Sequence, residues 1–508
     1  MPEPSTVADF VRGNDPGGVA FHAPEGTFTW RDYDELSSRL ARSYVEAGFL
    51  PGERLAVLVT GGALTHVAYL AAQKAGLVTV GIGPRAGDAE ITHLLRKTGA
   101  VALATRATHR GRPGAEIAAR CGAARHVVLD LDALPPPLPS SPAGGRGIAA
   151  DDVFFLNSTS GTTGVPKVVR QTMDNRKYFG PLAHAAGRFG PDEVFASVLP
   201  APYGFGLWSA HVVPAMYGYP TVLTAEFDAA QTLRLIAEHR VTVLCAVTAQ
   251  FIMLLNDPGF AAADLSSLRV LFTGGERVPV ARAREFEERT GCAVLQFYGS
   301  NEAGPISVTT VDDPPERRLA TAGRPIPAMR VRLLAGGEDA AEGQVAANGP
   351  GCTPGYLDDE AANAALFRPD GWLLTGDLGA IDEDGYLSIT GRIADFIIRG
   401  GHNVSALVVE EAVASHPAVA AVAVVAAPDP VLGERACAYV VTRAPLSLDD
   451  LRGHLDAGGV TKQNWPERLV ALPELPLGTG GKVDKAALRA DAAARFATAP
   501  GCFTTAPG

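Results

Sequence analysis

Hydroxyl side chains and glycines cluster in one stretch, Asn157 to Lys167, with the sequence Asn-Ser-Thr-Ser-Gly-Thr-Thr-Gly-Val-Pro-Lys. Glycines let backbone N–H groups approach phosphate oxygens, and hydroxyls add rotatable donors. The lysine adds a compact positive charge. This is the chemistry of a phosphate-binding loop, and we predict nucleotide contacts from Thr159, Ser160, Gly161, Thr162, Thr163, Gly164 and Lys167.

The stretch differs from the common P-loop. A P-loop ends in Gly-Lys-Ser/Thr and opens a helix, whereas here Pro166 precedes the lysine and Val168 follows it. Taken alone, the stretch also fits an ordinary surface loop rich in Ser, Thr and Gly, and that alternative stays open.

Two further segments contain residues suited to a nucleotide. Gly274-Gly275-Glu276 follows an apolar run, and paired glycines at the end of a strand open space where α/β sheets bind ligands. In the second segment, Tyr298 offers a flat ring for a purine, and Glu302 offers hard oxygen atoms for Mg²⁺. A tight turn and a solvated glutamate are the alternatives. The predicted nucleotide contacts are Gly275, Glu276, Gln296, Phe297, Tyr298, Gly299, Ser300 and Asn301.

A carboxylate, a guanidinium and an ammonium group follow later in the chain. Asp377 ends a Thr-Gly-Asp sequence, and its carboxylate can accept both hydrogen bonds of a ribose diol. Arg392 comes next, followed by Lys482 on a loop flanked by glycines. A lysine on such a loop can reach into a site that another domain forms, although a solvated surface lysine is the ordinary alternative.

The elements expected around these motifs alternate between strands and helices. The apolar pattern predicts a helix over 33–47, a strand over 54–59 and a helix over 64–75. Repeated strand–helix–strand units imply parallel sheets covered on both faces. The last part of the chain has a different, α+β pattern. We therefore expect an α/β protein with a large N-terminal domain of parallel-rich sheets with helices on both faces, residues 1–393, and a small α+β C-terminal domain, residues 394–508.

Composition limits the classes of function. The chain has 508 residues, of which 47% are hydrophobic and 19% charged, as in globular proteins of two or three domains. The net charge of −11 argues against a nucleic-acid partner. We expect no membrane span and no secretory signal, and the scattered cysteines indicate reduced thiols. A cytoplasmic location follows as a prediction.

Taken in order, the motifs resemble those of the adenylate-forming enzymes: acyl-CoA synthetases, peptide-synthetase adenylation domains and luciferases. The resemblance spans residues ~30 to ~490. It implies ATP and Mg²⁺ as cofactors, with Glu302 as a catalytic residue and metal ligand. It also implies that Arg392 holds ribose or phosphate, and that Lys482 is catalytic and contacts the carboxylate oxygen and the α-phosphate.

Four positions depart from the family pattern. Val168 stands where many members have glycine. Asn301 and Gly478 stand where the family usually has threonine, and Ala394 stands at the hinge position, where Asp or Lys is usual. A hinge needs freedom in φ and ψ rather than a given side chain. We therefore expect the small domain to be mobile and to rotate about residue 394.

The resemblance places the acid pocket at Pro200 to Trp208. Amino-acid-activating members have Asp where Gly204 stands, and dihydroxybenzoate ligases have Asn there. The absence of a carboxylate argues against α-amino acids, and the aromatic side chains nearby favour a flat or cyclic acid. Core packing is the alternative for Phe205 and Trp208. The predicted acid contacts are Tyr203, Gly204, Phe205, Trp208, Thr248 and Gly274.

Within the superfamily, Val168–Thr172 and Cys437–Val441 are most similar to stand-alone aryl-acid AMP ligases. This implies ATP-dependent activation of an aryl or cyclic carboxylic acid to an acyl-adenylate, with transfer to coenzyme A or to a separate carrier protein. Two alternatives stay open: a ligase that uses an amine or another non-thiol acceptor, and a non-catalytic nucleotide-binding homologue. The sequence is compatible with a homodimer.

Overall fold

The computed structural model describes residues 5–136, 147–158, 166–276, 278–399, 402–478 and 481–496. Within these ranges the chain forms two large sheets, a smaller antiparallel sheet, a C-terminal sheet and the short hairpin Thr108–His109 and Arg112–Pro113.

The first sheet is covered by helices on both faces. Its strand Arg54–Leu58 is largely buried, and successive side chains of a strand point to opposite faces. Leu55 packs in the same core as the helix Ala63–Lys74, whereas Ala56 packs in the core that contains the helix Asp88–Thr98. In spatial order, the six strands formed by described residues are Val168–Thr172, Val153–Ser158, Val78–Gly81, Arg54–Leu58, Ala102–Thr105 and His126–Val128. The first two are antiparallel and the other neighbours are parallel.

The second sheet separates two further apolar cores. Along the strand Val270–Gly274, Phe272 belongs to one core and Leu271 to the other. Its central neighbours are parallel, and the strands at its two ends are antiparallel. In the described ranges its nine strands, in spatial order, are Arg324–Pro325, Gly304–Val308, Ala293–Ser300, Val270–Gly274, Val243–Cys245, Phe195–Ser197, Thr221–Leu223, Val19–Ala23 and Gly26–Thr29.

Local capping fixes the start of the helix Trp30–Glu46, which the sequence predicts over 33–47. The Asp32 N–H donates to the Thr29 hydroxyl (3.1 Å), and the Thr29 N–H donates to the Asp32 carboxylate (2.8 Å). The other helices before the third sheet are Val7–Gly13, Ala63–Lys74, Asp88–Thr98, Gly114–Arg120, Asp174–Lys177, Phe179–Gly187, Gly204–Leu207, Trp208–Val212, Val213–Tyr217, Ala229–His239, Thr248–Asn256, Phe260–Ala262, Val280–Thr290 and Pro315–Ala320.

The third sheet is antiparallel and places Asp377 opposite Arg392 on neighbouring strands. The helix Glu360–Leu366 lies between two of its strands in sequence. In spatial order, its strands are Glu338–Asp339, Arg330–Ala335, Glu342–Asn348, Leu373–Ile381 and Leu387–Arg392.

The C-terminal part has apolar cores of its own. Val409, Val424 and Leu451 belong to one of them, and Tyr439 and Leu488 to another. Its strands are Phe396–Arg399, His402–Ser405, Val419–Asp429, Gly433–Thr442 and Arg468–Ala471, and its helices are Ile393–Asp395, Ala406–Ala414, Leu448–Ala457, Lys462–Asn464 and Lys485–Phe496.

The architecture confirms the predicted fold class of parallel-rich sheets with helices, followed by a smaller α+β part. The predicted strand at 54–59 is Arg54–Leu58, and the predicted helix at 64–75 is Ala63–Lys74. Among the helices in the described ranges, none has both the length and the apolar character that a membrane span requires.

Candidate active site

The predicted nucleotide segments lie side by side at one edge of the nine-stranded sheet. Strands Val270–Gly274 and Ala293–Ser300 are parallel neighbours, with Gly274 opposite Phe297. Because parallel strands end at the same edge, the residues after Gly274 lie next to the end of the neighbouring strand. The sheet therefore forms a cleft in which a ligand can touch both segments.

The paired glycines leave room for a lysine that is distant in sequence. A Cβ atom at Gly274 would lie 2.5 Å from the carbonyl oxygen of Phe297. Gly275 has a φ of +88°, and a Cβ atom there would lie 2.9 Å from Nζ of Lys482. A larger residue would clash with the backbone at Gly274 and would be strained by the positive φ at Gly275. The ammonium group of Lys482 lies beside the Gly275 backbone.

Lys482 reaches this edge on a short hairpin of the C-terminal part. Leu477 and Val483 pair as an antiparallel bridge, and the Gly478 N–H donates to the Lys482 carbonyl (2.8 Å). Gly481 has a φ of +78°, which favours glycine in this turn. The structure thus brings a lysine of the C-terminal part to the glycines of the nine-stranded sheet.

Charged side chains from several elements surround this lysine. Desolvation lowers the pKa of Lys482, and so does the positive charge of Arg392, whereas Glu276, Asp377 and Glu302 oppose the shift. Desolvation in turn raises the pKa of Glu276, against the positive charge of Lys482. These predicted site residues therefore form one electrostatic cluster.

Asp377 is held by two side chains. The Tyr298 hydroxyl donates to Oδ2 of Asp377 (2.8 Å), and Nε of Arg392 lies 3.4 Å from Oδ1. Burial raises the pKa of Asp377, while the charge of Arg392 opposes that shift. A carboxylate held in this way is positioned to accept hydrogen bonds from a diol.

Glu302 lies next to Tyr356, which the sequence analysis did not single out. The Tyr356 hydroxyl donates to Oε1 of Glu302 (2.8 Å), and Nζ of Lys167 lies 4.9 Å from the centre of the Tyr356 ring. In the described part of the chain, no group of three or more His, Cys, Asp or Glu side chains could hold a metal ion. A single carboxylate still fits Mg²⁺ when nucleotide phosphates supply the other ligands.

Most of the hydroxyl- and glycine-rich segment lies outside the described residues, namely Thr159, Ser160, Gly161, Thr162, Thr163 and Gly164. The strands on either side of it, Val153–Ser158 and Val168–Thr172, are antiparallel neighbours, with Ser158 opposite Val168. The described residue at its end is Lys167, whose ammonium group lies over the ring of Tyr356.

The predicted acid contacts converge on one cavity beside the nucleotide segments. Tyr203, Gly204, Phe205, Trp208 and Gly274 all line it, and so does Lys482. Among the described residues that line it, Thr248 does not appear, but its neighbour Val247 does. The other lining residues are Asn175, Arg176, Phe179, Leu199, Pro200, Gly206, Gly275, Phe297, Gly299, Ser300, Asn301, Gly304 and Pro305.

The aromatic wall of the cavity depends on an irregular helix. A π-helical turn begins at Trp208, whose carbonyl accepts from the Val213 N–H. Pro214, which has no N–H to donate, follows directly, and π-turns of this kind are frequent at functional sites. Phe205 packs edge-on against Phe297, with ring centres 4.7 Å apart. Packing therefore fixes the aromatic part of the wall.

Asn301 joins the cavity to the phosphate-loop strand. Its Oδ1 accepts from the Gly204 N–H (3.1 Å) and from Nδ2 of Asn157 (3.2 Å). Its backbone carbonyl accepts from Gln171 (3.0 Å) and from Nη2 of Arg176 (2.9 Å). The amide oxygen of Asn301 thus supports the acid cavity, so that only its amide nitrogen is left for a phosphate contact.

Gln296 is turned away from this cleft. Its Nε2 donates to the carbonyl oxygens of Arg318 (3.0 Å) and Leu319 (2.9 Å). Because successive side chains of a strand point to opposite faces, Gln296 faces the neighbouring helix, whereas Phe297 faces the cavity. We therefore assign the Gln296 side chain a structural contact in place of the expected nucleotide contact.

Curated relatives cover nearly the whole chain. It is 33% identical over 496 residues to a medium-chain fatty-acid–CoA ligase of Escherichia coli, covering 92% of this chain and 86% of the relative. It is 32% identical over 516 residues to the salicyl-AMP ligase / salicyl-S-ArCP synthetase of Mycobacterium tuberculosis, covering 96% of this chain and 88% of the relative.

Solved structures show the same fold. ATP-bound MatB from Rhodopseudomonas palustris matches with a TM-score of 0.84 at 26% identity, covering 96% of this chain and 99% of that one. The amide bond synthetase McbA from Marinactinospora thermotolerans matches with a TM-score of 0.83 at 29% identity, with the same coverage. The AMP-binding enzyme family matches residues 11–357, and the AMP-binding enzyme C-terminal domain matches residues 408–482. The chain therefore belongs to the AMP-binding enzymes and is an adenylate-forming ligase.

Proposed function

We propose that this protein activates an aryl or cyclic carboxylic acid with ATP and then transfers the acyl group to a thiol. The observation that supports this most directly is the position of Lys482, which lines the same cavity as Phe205 and Trp208. An ammonium group at that point can neutralise the negative charge that develops as a carboxylate attacks phosphorus.

In the first step, a carboxylate oxygen of the acid bonds to the α-phosphorus of ATP, and the bond to pyrophosphate breaks. Asp377 accepts hydrogen bonds from the ribose diol, while Tyr298 and Arg392 hold it in position. The resemblance to the family implies that the segment containing Gly275 would pack on adenine. Mg²⁺ held by Glu302 would neutralise charge on the phosphates. The phosphate contacts fall to Thr159, Ser160, Gly161, Thr162, Thr163, Gly164 and Lys167.

The contacts around residue 394 support a boundary between two domains at this point. Arg392 lies beside Asp377 of the third sheet, whereas Asp395 accepts a hydrogen bond from Nη2 of Arg489 (2.5 Å) in the C-terminal helix. These contacts support a domain boundary between Arg392 and Asp395.

We accordingly place the large domain at residues 1–393 and the small domain at residues 394–508, with Ala394 as the hinge. Rotation about this hinge would withdraw Lys482 from the cavity after the first step. The thiol then attacks the acyl carbon, AMP leaves with the bonding electrons, and the thiol proton passes to solvent. The thiol is that of coenzyme A or of a separate carrier protein.

Pyrophosphate release with a panel of aryl and cyclic acids tests the first step. We expect release that requires ATP, Mg²⁺ and an acid, and faster AMP formation when coenzyme A or a phosphopantetheine-loaded carrier is added. Absence of acid-dependent release with every acid, together with no ATP binding, would contradict the proposal.

An amine acceptor is the second candidate, because the chain is 29% identical to a protein described as an amide bond synthetase. The two candidates differ in what accelerates AMP release. If amines accelerate it and thiols do not, the acceptor is an amine, and the thiol step is wrong. The cytoplasmic location and the homodimer stay predictions.

A further inference from the structure

Arg176 lines the acid cavity and is 4% exposed. It lies on the short helix Asp174–Lys177, and its two hydrogen bonds go to neutral acceptors. Nη2 donates to the Asn301 carbonyl (2.9 Å), and Nε donates to Oδ1 of Asn175 (3.4 Å). Among the described residues, no carboxylate forms an ion pair with this guanidinium, whereas Lys177 on the same helix pairs with Asp174. Arg176 therefore has no direct ion-pair partner among the described residues, and the negative charge of Glu302 acts on it only from beyond contact distance.

The free edge of this guanidinium faces the point where Gly204 lines the cavity. A Cβ atom at Gly204 would lie 3.1 Å from Nη1 of Arg176, and Nη1 makes no hydrogen bond within the described residues. Glycine at this position keeps the path between the guanidinium and a bound acid open. Nη1 is thus a charged donor that a ligand in the cavity can reach.

Two neutral donors in the same wall also lack acceptors. Nε1 of Trp208 and Nδ2 of Asn175 are buried and have no hydrogen-bond partner within the described part of the structure. Both residues line the cavity. Buried polar groups are almost always paired in folded proteins, so an unpaired set at one site indicates a missing acceptor. A ligand that supplies acceptor oxygens would satisfy the set.

The charged side chains that line the cavity are all cationic among the described residues. Its lining includes two cationic side chains, Arg176 and Lys482, and no aspartate or glutamate among the described lining residues. Burial lowers the pKa of Arg176 to about 10, so the group is charged at neutral pH. One carboxylate can pair with Lys482 during adenylation, and a second negative group on the acid would give Arg176 a direct ion-pair partner.

We infer that the acid has a second anionic group, a carboxylate or a sulfonate, which binds Arg176 beside Gly204 while the reacting carboxylate faces Lys482. This inference rests on the proposed function, because it names the substrate class of the same cavity. Asn175 and Trp208 would donate to the same group or to a polar substituent next to it. A monoacid would leave the guanidinium unpaired, and an α-amino acid would place a second cation beside it.

The wild-type enzyme tests the inference with matched acids. We expect kcat/KM for pyrophosphate release to be about 100-fold higher for at least one benzenedicarboxylate or sulfobenzoate than for benzoate or cyclohexanecarboxylate. Comparing the benzenedicarboxylates with the sulfobenzoates identifies whether a carboxylate or a sulfonate is preferred as the second group. Equal kcat/KM for the monoacids and the dianionic acids would overturn the inference while leaving the proposed function intact. Pyrophosphate release with neither kind of acid would overturn the proposed function and, with it, this inference.

Three variants separate recognition by Arg176 from a purely structural role. Arg176→Leu should lower kcat/KM for the dianionic acid about 100-fold more than for benzoate, because the hydrogen bonds to Asn301 and Asn175 are lost for both acids but the counter-ion is lost only for the dianionic one. Arg176→Lys keeps the charge and should restore part of the preference. Lys177→Gln is the matched control, since Lys177 pairs with Asp174 (2.7 Å) on the same helix and does not line the cavity.

A structural role for Arg176 predicts a different result. All acids would then lose activity by the same factor, in parallel with a fall in Tm, and the preference for the dianionic acid would stay the same in both Arg176 variants. That outcome would overturn the inference. If Arg176→Leu does not fold, the comparison of Arg176→Lys with wild type across the acid panel still decides, because an unchanged ratio of dianionic acid to monoacid contradicts a charge-to-charge contact with fixed guanidinium geometry.

Discussion

The nucleotide side of the cleft and the acid cavity differ in how their polar groups are paired. On the nucleotide side, Asp377 accepts a hydrogen bond from Tyr298 and lies beside Arg392. In the cavity, Arg176 has no carboxylate partner and Trp208 Nε1 has no acceptor among the described residues. Among the described residues, the ribose-binding group is already paired, whereas Arg176 and Trp208 keep donors that a ligand can use.

This difference separates the common part of the reaction from the specific part. Groups that are already paired keep their geometry and serve every acid alike. Buried donors that lack an acceptor are desolvated without compensation until a substrate supplies one. A substrate without that acceptor binds poorly, which is how a cavity of this kind discriminates between acids.

Lys482 lies at the boundary between the two sides, so its removal should have the largest effect. Lys482→Ala should lower acid-dependent pyrophosphate release about 1,000-fold, because the charge that stabilises the first transition state is lost. Transfer of an acyl group from a supplied acyl-adenylate to a thiol should change little. Rapid-mixing assays of the two half-reactions measure the two steps separately.

Lys462→Ala is the control for the loss of a lysine from the same domain, since Lys462 is exposed and contacts only the face of Trp465 among the pairs described. Its rates should stay at the wild-type level. If Lys482→Ala slows both half-reactions equally, the lysine acts on the fold or on the domain arrangement, and its assignment to the first step fails.

The sequence predicts residues on both sides of the cleft where a short motif marks them, and it does not predict Arg176 or Tyr356. Gly274 and Gly275 belong to a short pattern at the end of a strand, and Asp377 belongs to a Thr-Gly-Asp pattern within a strand. Such patterns can be recognised without knowing the fold. Arg176 and Tyr356 have no pattern around them, because their positions depend on how separate elements pack. A sequence signal for Arg176 would have been a lone charge after an apolar strand, which is too common to decide anything.

Gln296 shows a second limit of sequence-based prediction, because a motif does not reveal which face of the sheet a side chain points to. The motif places it next to Phe297, but the pleat turns the two side chains in opposite directions. The parallel sheets were predictable because apolar runs and helical periodicity alternate over many residues. Which hydrogen bonds close the cleft depends on the register of neighbouring strands, and the sequence does not specify it.

On the nucleotide side of the cleft, we expect a substitution to have an effect of intermediate size. Asp377→Ala should raise the KM for ATP about 30-fold, since hydrogen bonds to charged groups contribute about 1.5–3 kcal/mol. The factor should be the same for every acid, because the group belongs to the common part of the site. Steady-state kinetics with two different acids measure this.

Asp339→Ala is the matched control for Asp377→Ala. Asp339 lies in the same sheet and is exposed, and it binds Arg332 (2.6 Å) away from the cleft. The KM for ATP should not change in this variant. An Asp377→Ala effect that depends strongly on the acid would contradict the division between a common side and a specific side.

The smallest effect is a change with pH, and it depends on the charge of Lys482. Desolvation lowers the pKa of this lysine below its ordinary value, and the positive charge of Arg392 acts in the same direction. The protonated form is the one that stabilises the transition state, so the first half-reaction should slow as pH rises through that lowered pKa. The slope should approach tenfold per pH unit, since each unit removes nine-tenths of the remaining cation.

Lys482→Arg decides whether this alkaline decline belongs to the lysine. A guanidinium stays charged at higher pH than a desolvated ammonium group, so the decline should move to higher pH even if the maximal rate falls. Measurements in the absence of thiol exclude ionisation of the acceptor from the profile. A decline at the same pH in both proteins would show that another group titrates. In that case the desolvated ammonium group would not set the upper pH limit, and the boundary between the two sides of the cleft would lie elsewhere.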